Sequence, residues 1–186
     1  MNDRTVFIVG HEYQGYYWID YIESWLESDI PRRKQFYPFI RERVKKICKL
    51  FNISLFIPDG TGVGAPVLDE LENDFRTYKT PPRMHMHSNK KKGYIFTEDT
   101  KLDLIDNLVQ NFQDQKIKIP WHGNVGELKA LENELLSFTY EISGNRIKKL
   151  HYGVQNAHDD RVITLALLTF GMTARKPWMF AMVSGA

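Results

Sequence analysis

The stretch "ISLFIP" at residues 53–58 constrains the fold more than any other part of the sequence. A continuous apolar run of this length is typical of a strand that is buried on both faces of a sheet, because a strand with one solvated face alternates apolar and polar residues. Other elements must then cover both faces of that sheet. The run therefore favours an α/β protein, in which helices provide the cover.

The segments around this run have patterns of both kinds. "TVFIVGHEY" (5–13) and "YYWIDYI" (16–22) predict a β-hairpin that turns at Gln14 and Gly15. Apolar residues from Phe36 to Phe51 recur at helical spacing. The other predicted elements are helices over 65–74, from Thr97 or Thr100 to Phe112 and over 162–170, and strands over 116–120 and 136–143, the latter turning at "GNR" into "IKKLHYG". The alternating "RMHMHS" could form a further strand. This order predicts a mixed sheet flanked by helices.

The length and the cysteine content limit the class of protein. The 186 residues fit one domain, which we place at 1–174, with a C-terminal tail at 175–186. Cys48 is the only cysteine, so an intramolecular disulfide and a cysteine-based zinc site are excluded. No signal peptide and no apolar run of ~20 residues is present. We therefore expect a soluble intracellular protein.

Positive charge is clustered, although the net charge of +2 is too small to indicate a partner. The clearest cluster is "NKKKG" at 89–93, with Lys90, Lys91 and Lys92, and Lys101 follows it in the predicted helix. Such a loop suits the phosphate backbone of a nucleic acid. The alternative is that these lysines only solvate the surface.

Three aspartates are candidates for chemistry. Asp59 directly follows the apolar strand, and Asp159 and Asp160 precede the last helix. Each has a structural alternative, since "PDG" is a turn signal and an aspartate before a helix is a common N-cap. Carboxylates that are brought together favour a divalent cation, and hard oxygen ligands suit Mg²⁺ or Mn²⁺. Two such ions ~4 Å apart support phosphodiester cleavage.

The sequence also resembles a known family. The succession "LFIPDGTGVGAPVLDEL", "NKKKGYIFTEDTKLDLIDNLVQNFQDQKIKIP", "ALENELLSFTYEIS" and "NAHDDRVITLALL" resembles the C-terminal nuclease domain of the large terminase subunit of tailed bacteriophages. The resemblance implies a ribonuclease H-like fold and an endonuclease that cuts concatemeric double-stranded DNA with two Mg²⁺ or Mn²⁺ ions. It also implies the terminase ATPase domain, the small subunit and the portal as partners, in the cytoplasm of an infected bacterium.

The resemblance assigns roles to individual residues. Asp59 is the acid after the central strand, and Asp160 or Asp159 is the acid of the last helix. Apart from the resemblance, the position of His158 before the helix allows it to orient a carboxylate, to contact DNA or to lie on the surface. Family members begin with a strand of the form G-V-D-x-G, whose aspartate is the central metal ligand. This sequence has no counterpart of that strand ahead of "NDRTVFIVG", so we expect weak metal binding and weak cleavage.

Two other functions remain open at this point. A ribonuclease H-like resolvase would use the same carboxylates on branched DNA, and cleavage of linear duplex against four-way junctions would separate it from a terminase. Without the first acid, the chain could instead be a non-catalytic module that binds DNA or takes part in assembly.

Overall fold

The structure is a computed structural model. It describes residues 4–30, 35–61, 65–87, 91–120, 123–143, 146–152, 159–173 and 179–183. Its elements in chain order are β1 (Thr5–Tyr13), β2 (Tyr16–Trp25), α1 (Phe36–Leu50), β3 (Leu55–Pro58), α2 (Ala65–Phe75), β4 (Arg83–Met84), α3 (Glu98–Gln113), β5 (Ile117–Lys118), α4 (Val125–Ser137), β6 (Phe138–Ser143), β7 (Arg146–Tyr152), α5 (Asp160–Thr173) and β8 (Met179–Val183), with a short 3-10 turn at Glu27–Asp29.

Six strands form one mixed sheet in the order β4-β3-β8-β1-β2-β5. The predicted hairpin is confirmed: β1 pairs antiparallel with β2, and Gln14 and Gly15 both have positive φ at its turn (54° and 79°). This conformation matches the twist of the strands that it joins. β3 pairs in parallel with β4, and β2 with β5. The second sheet is the antiparallel pair β6–β7.

Helices cover both faces of the six-stranded sheet, as the apolar strand requires. Alternate residues of β1 enter two different cores. Val6 and Ile8 belong to a core beneath α3, α4 and α5, whereas Phe7 and Val9 belong to a core beneath α1 and α2. The structure therefore confirms an α/β protein with a mixed sheet flanked by helices. Among the described residues, no helix is long and apolar enough to cross a lipid bilayer.

The C-terminal segment differs from the prediction. We expected a tail at 175–186, but Met179–Val183 form strand β8 within the sheet. β8 lies between β1 and β3, antiparallel to the former and parallel to the latter. The apolar sequence "MFAMV" suits this interior position, because both neighbouring strands are deeply buried. The sheet therefore extends beyond the predicted domain boundary at residue 174.

Helix α4 was not predicted. The strand expected at 136–143 begins only at Phe138, and α4 occupies the residues before it. Asn124 caps this helix by accepting a hydrogen bond from the backbone N–H of Glu127. Leu128, Leu131 and Glu134 form the buried face of α4. A glutamate on that face interrupts the apolar pattern by which a buried helix is recognised.

Candidate functional site

Asp59 and Asp160 lie at the same edge of the six-stranded sheet. Pro58 pairs with Met182 of β8, so Asp59 follows at the end of β8. The start of β1 lies at that same end, because Val6 pairs with Val183. Asp160 Oδ2 accepts a hydrogen bond from the backbone N–H of Arg4, 2.9 Å away, at the start of β1. Two inter-strand spacings, about 10 Å, therefore separate β3, which Asp59 follows, from β1, at whose start Asp160 is hydrogen-bonded.

The two carboxylates also lie on the same face of the sheet. Leu55 and Ile57 point into the core beneath α5, and continued alternation along the strand directs Asp59 to that face. Asp160 is the first residue of α5, which covers the same face. Each aspartate is only 8% exposed. The fold thus brings together two buried acids from opposite halves of the sequence.

Asp59 makes a local turn in addition to ending the strand. Its Oδ1 accepts a hydrogen bond of 2.7 Å from the backbone N–H of Thr61. This is the Asx-type geometry that the "PDG" sequence predicts. The turn fixes the carboxylate at the strand end. Asp59 can therefore form the turn and still present its carboxylate as a candidate metal ligand.

Two glycines allow the loop beside Asp59 to form. Gly60 N–H donates to the carbonyl of Tyr94, and Tyr94 N–H donates to the carbonyl of Pro58, both at 2.8 Å. A Cβ on Gly93 would lie 2.6 Å from the Pro58 oxygen and 2.7 Å from the Gly60 nitrogen, and a Cβ on Gly60 would meet the Lys92 carbonyl at 2.3 Å. The backbone at 91–94 therefore packs directly against the turn that carries Asp59.

Gly93→Ala is expected to destabilise the protein more than Gly15→Ala. Both glycines have a positive φ (83° and 79°), so each alanine pays about 1–2 kcal/mol for its backbone conformation. Only the Gly93 variant also meets backbone atoms, since nothing lies within 4 Å of a Cβ on Gly15. Overpacking adds about 1–3 kcal/mol. Urea unfolding of the two variants measures the difference, and equal losses would contradict the close approach at Gly93.

Asp159 and Asp160 have different environments. The Asp159 carbonyl accepts a hydrogen bond from Ile163 N–H at 2.9 Å, so this residue occupies the N-cap position of α5. Its carboxylate lies 3.7 Å from Lys101 Nζ. Asp160 is more buried and is bonded to the start of β1. Of the two, Asp160 is the one that is hydrogen-bonded to the backbone at the start of β1.

A buried ionic network surrounds the first turn of α5, and sequence reasoning did not identify it. The Arg161 side chain donates to Glu127 Oε2 at 2.9 Å, to Glu134 Oε1 at 2.5 Å and to Ser24 Oγ at 3.0 Å. The Arg161 backbone N–H also donates to Glu134 Oε2 at 2.9 Å. The sequence feature that could have indicated this network is the spacing of Glu127 and Glu134. They are two helical turns apart and share a face with the apolar residues of α4.

In both Glu134 and Arg161, burial and the oppositely charged neighbours shift the pKa in opposite directions. Burial raises the pKa of Glu134 above its usual value, and the charge of Arg161 offsets only part of that effect. Burial alone would lower the pKa of Arg161, but hydrogen bonds and charges from Glu127 and Glu134 raise it overall. Arg161 is therefore a fixed positive charge next to Asp160.

The predicted DNA-contacting lysines differ in their surroundings. Lys91 is exposed. Lys92 forms ion pairs with Asp69 and with Glu72 Oε2, the latter at 2.6 Å. Lys101 is paired with Asp159 as described above. Lys90 and His158, which we also proposed as site residues, lie outside the described residues.

The donor set at the sheet edge fits a hard divalent cation. Mg²⁺ is commonly held by one or two protein carboxylates together with water and substrate phosphate oxygens. Asp59 and Asp160 are such carboxylates. Within the described ranges, no group of three or more histidine, cysteine, aspartate or glutamate side chains could hold a metal ion. The strand between the two acids, β8, has no carboxylate in its sequence "MFAMV".

Comparison of the chain with protein-family models, with curated proteins and with solved structures gives no match.

Proposed function

We propose that the chain is a metal-dependent endonuclease domain that acts on double-stranded DNA, with a ribonuclease H-like fold, and that it serves as the nuclease of a viral genome-packaging terminase. The observation that carries the proposal is the convergence of Asp59 and Asp160. Both residues are buried, Asp59 directly after β3 and Asp160 at the first position of α5, bonded to the start of β1. The proposed setting is the cytoplasm of an infected bacterium, with the terminase ATPase domain, small subunit and portal as partners.

The chain's own residues supply binding and orientation. Asp59 and Asp160 would hold Mg²⁺ or Mn²⁺. When bound, the cation neutralises phosphate charge and activates the attacking water. The Asx turn of Asp59 and the Arg4 hydrogen bond of Asp160 fix the two carboxylates before the substrate binds. Pre-organisation of this kind lowers the cost of binding a cation and a phosphate together.

Asp59→Asn and Asp160→Asn are each expected to weaken Mn²⁺ binding on the order of tenfold or more and to abolish nicking of plasmid DNA, because each removes a charged ligand. The matched control is Asp106→Asn, which makes the same change at an exposed position of α3. Electron paramagnetic resonance of free Mn²⁺ measures the affinity, and gel electrophoresis measures nicking. Equal Mn²⁺ affinity in all four proteins would overturn the proposed function.

A second candidate function is a non-catalytic DNA-binding or assembly module. The observation that favours it is the absence of a carboxylate from β8, the strand between the two acids. A pair of metal ions commonly shares a bridging carboxylate, and that position offers none. Mn²⁺ binding that depends on Asp59 and Asp160, without nicking of any DNA, would select this function over the nuclease.

Lys91→Ala is expected to lower the salt dependence of duplex binding by about one counterion, whereas Lys92→Ala is expected to change it less. The reason is that Lys92 already pairs with Asp69 and Glu72, and Lys91 is exposed. Fluorescence anisotropy with a labelled duplex at several salt concentrations measures both slopes. Identical slopes for Lys91→Ala and the unmodified chain would remove Lys91 from the DNA-binding surface.

A further inference from the structure

We propose that Glu134 is a positioning residue for the metal-binding carboxylate of Asp160, and that it acts by holding the Arg161 guanidinium away from Asp160. The proposal rests on the proposed function, since it concerns the cation that Asp59 and Asp160 would bind. It adds a residue of α4 that neither the motifs nor the resemblance single out.

Glu134 holds the first turn of α5 from outside that helix. The backbone N–H groups of a first helical turn have no partner within their own helix. One of them, the N–H of Arg161, donates to Glu134 Oε2 at 2.9 Å. Because Arg161 directly follows Asp160, this bond fixes the backbone that carries the Asp160 carboxylate.

The same glutamate also determines where the positive charge of Arg161 lies. Glu134 Oε1 accepts from Arg161 Nη1, so one carboxylate binds both the backbone and the side chain of one residue. Glu127 accepts from Nε, and Ser24 accepts from Nη2. Every guanidinium nitrogen thus has a partner on α4 or β2. The guanidinium is directed to these elements, and Asp160 Oδ2 accepts from the backbone N–H of Arg4.

Asp160 is connected to this network from its other side as well. The backbone N–H of Arg4 donates to Asp160 Oδ2, and the Arg4 side chain donates to Ser24 Oγ at 3.3 Å. Ser24 in turn donates to Glu127 Oε1 at 2.8 Å. Asp160 is therefore held between β1 on one side and the Arg161 network on the other. A displacement of Arg161 would change both the geometry and the charge next to Asp160.

The charges of this network affect how well Asp160 can bind a divalent cation. Glu127 and Glu134 together carry two negative charges against the single positive charge of Arg161. Arg161 is bonded directly to both of these carboxylates, whereas the Arg4 side chain reaches the network only through Ser24. If Glu134 loses its charge, the carboxylate of the adjacent residue, Asp160, becomes an alternative partner for the part of the guanidinium that Glu134 held. Arg161 would then compete with the divalent cation for Asp160.

The test compares Mn²⁺ affinity, measured by electron paramagnetic resonance, in four variants of the full chain. Glu134→Gln is expected to weaken Mn²⁺ binding at least about tenfold, as outer partners of metal ligands do. Glu134→Gln combined with Arg161→Gln is expected to recover most of the affinity, because the competing cation is gone while two amides can still hydrogen-bond. Glu132→Gln, the same change at an exposed position of α4, is the control and is expected to bind like the unmodified chain.

The fourth variant, Asp160→Asn, distinguishes a failure of the proposed function from a failure of the positioning role of Glu134. If it leaves the Mn²⁺ affinity unchanged, the proposed function fails, and the positioning role fails with it. If Asp160→Asn weakens binding but Glu134→Gln does not, only the positioning role is overturned. Equal weakening in Glu134→Gln and in the double variant would also overturn it, because a purely structural role predicts no recovery. A crystal structure of Glu134→Gln is expected to show the Arg161 guanidinium against Asp160.

Discussion

Ala181→Pro is expected to lower the free energy of unfolding by at least about 3 kcal/mol. Ala181 lies in the middle of β8, opposite Ile8 of β1 and Ile57 of β3. Proline has no N–H to donate and is tolerated only at sheet edges or bulges. Since domains of ordinary size have about 5–15 kcal/mol of stability, the variant is expected to lose a large part of its native population.

The control for this prediction is Ala181→Gly, which keeps the N–H and costs about 0.5–1 kcal/mol through backbone entropy. Urea unfolding followed by circular dichroism measures both variants. If Ala181→Pro unfolds at the same urea concentration as Ala181→Gly, residues 179–183 do not form an interior strand, and β1 and β3 must be paired in another way.

Arg161→Met is expected to destabilise the protein by about 3–5 kcal/mol. The substitution leaves Glu127 and Glu134 without their cation, and an uncompensated buried charge is costly. Arg161 and Glu134 are only 6% and 9% exposed, so solvent screens them little. The combined change Arg161→Met and Glu134→Met is expected to recover part of the loss, because it removes both members of the pair.

Arg76→Met is the matched control. The Arg76 side chain is 68% exposed, directly after the end of helix α2, and lies 3.5 Å from Glu72 on the last turn of that helix. An exposed pair of this kind contributes at most about 1 kcal/mol. Chemical denaturation of the unmodified chain, Arg161→Met, Glu134→Met and the double variant completes a double-mutant cycle. A loss for Arg161→Met that is no larger than the loss for Arg76→Met would mean that the network around α5 is solvated in solution.

Part of the candidate site could be predicted from local sequence. Asp59 follows a strand, and Asp160 begins a helix, so both positions were visible as motifs. The structure confirms the N-cap position of Asp159, which the sequence offered as an alternative, and adds that Asp159 is paired with Lys101. It also shows that Lys92 is bound to two acids of α2. These pairings join residues far apart in the sequence, and local patterns contain no information about them.

The sequence by itself determined the β1–β2 hairpin, helices α1, α3 and α5 and the α/β class. Each depends on periodicity, turn chemistry or capping within a short segment, as with Thr97, which caps α3. Only the tertiary structure decided that Met179–Val183 enter the sheet between β1 and β3 and that Glu134 of α4 binds Arg161. An apolar pentapeptide does not specify which strands it pairs with, and a buried glutamate contradicts the apolar pattern unless its arginine is known. Strand order and charge pairing depend on the whole fold, because every buried backbone N–H, carbonyl and charged side chain needs a partner. Those partners come from distant parts of the sequence.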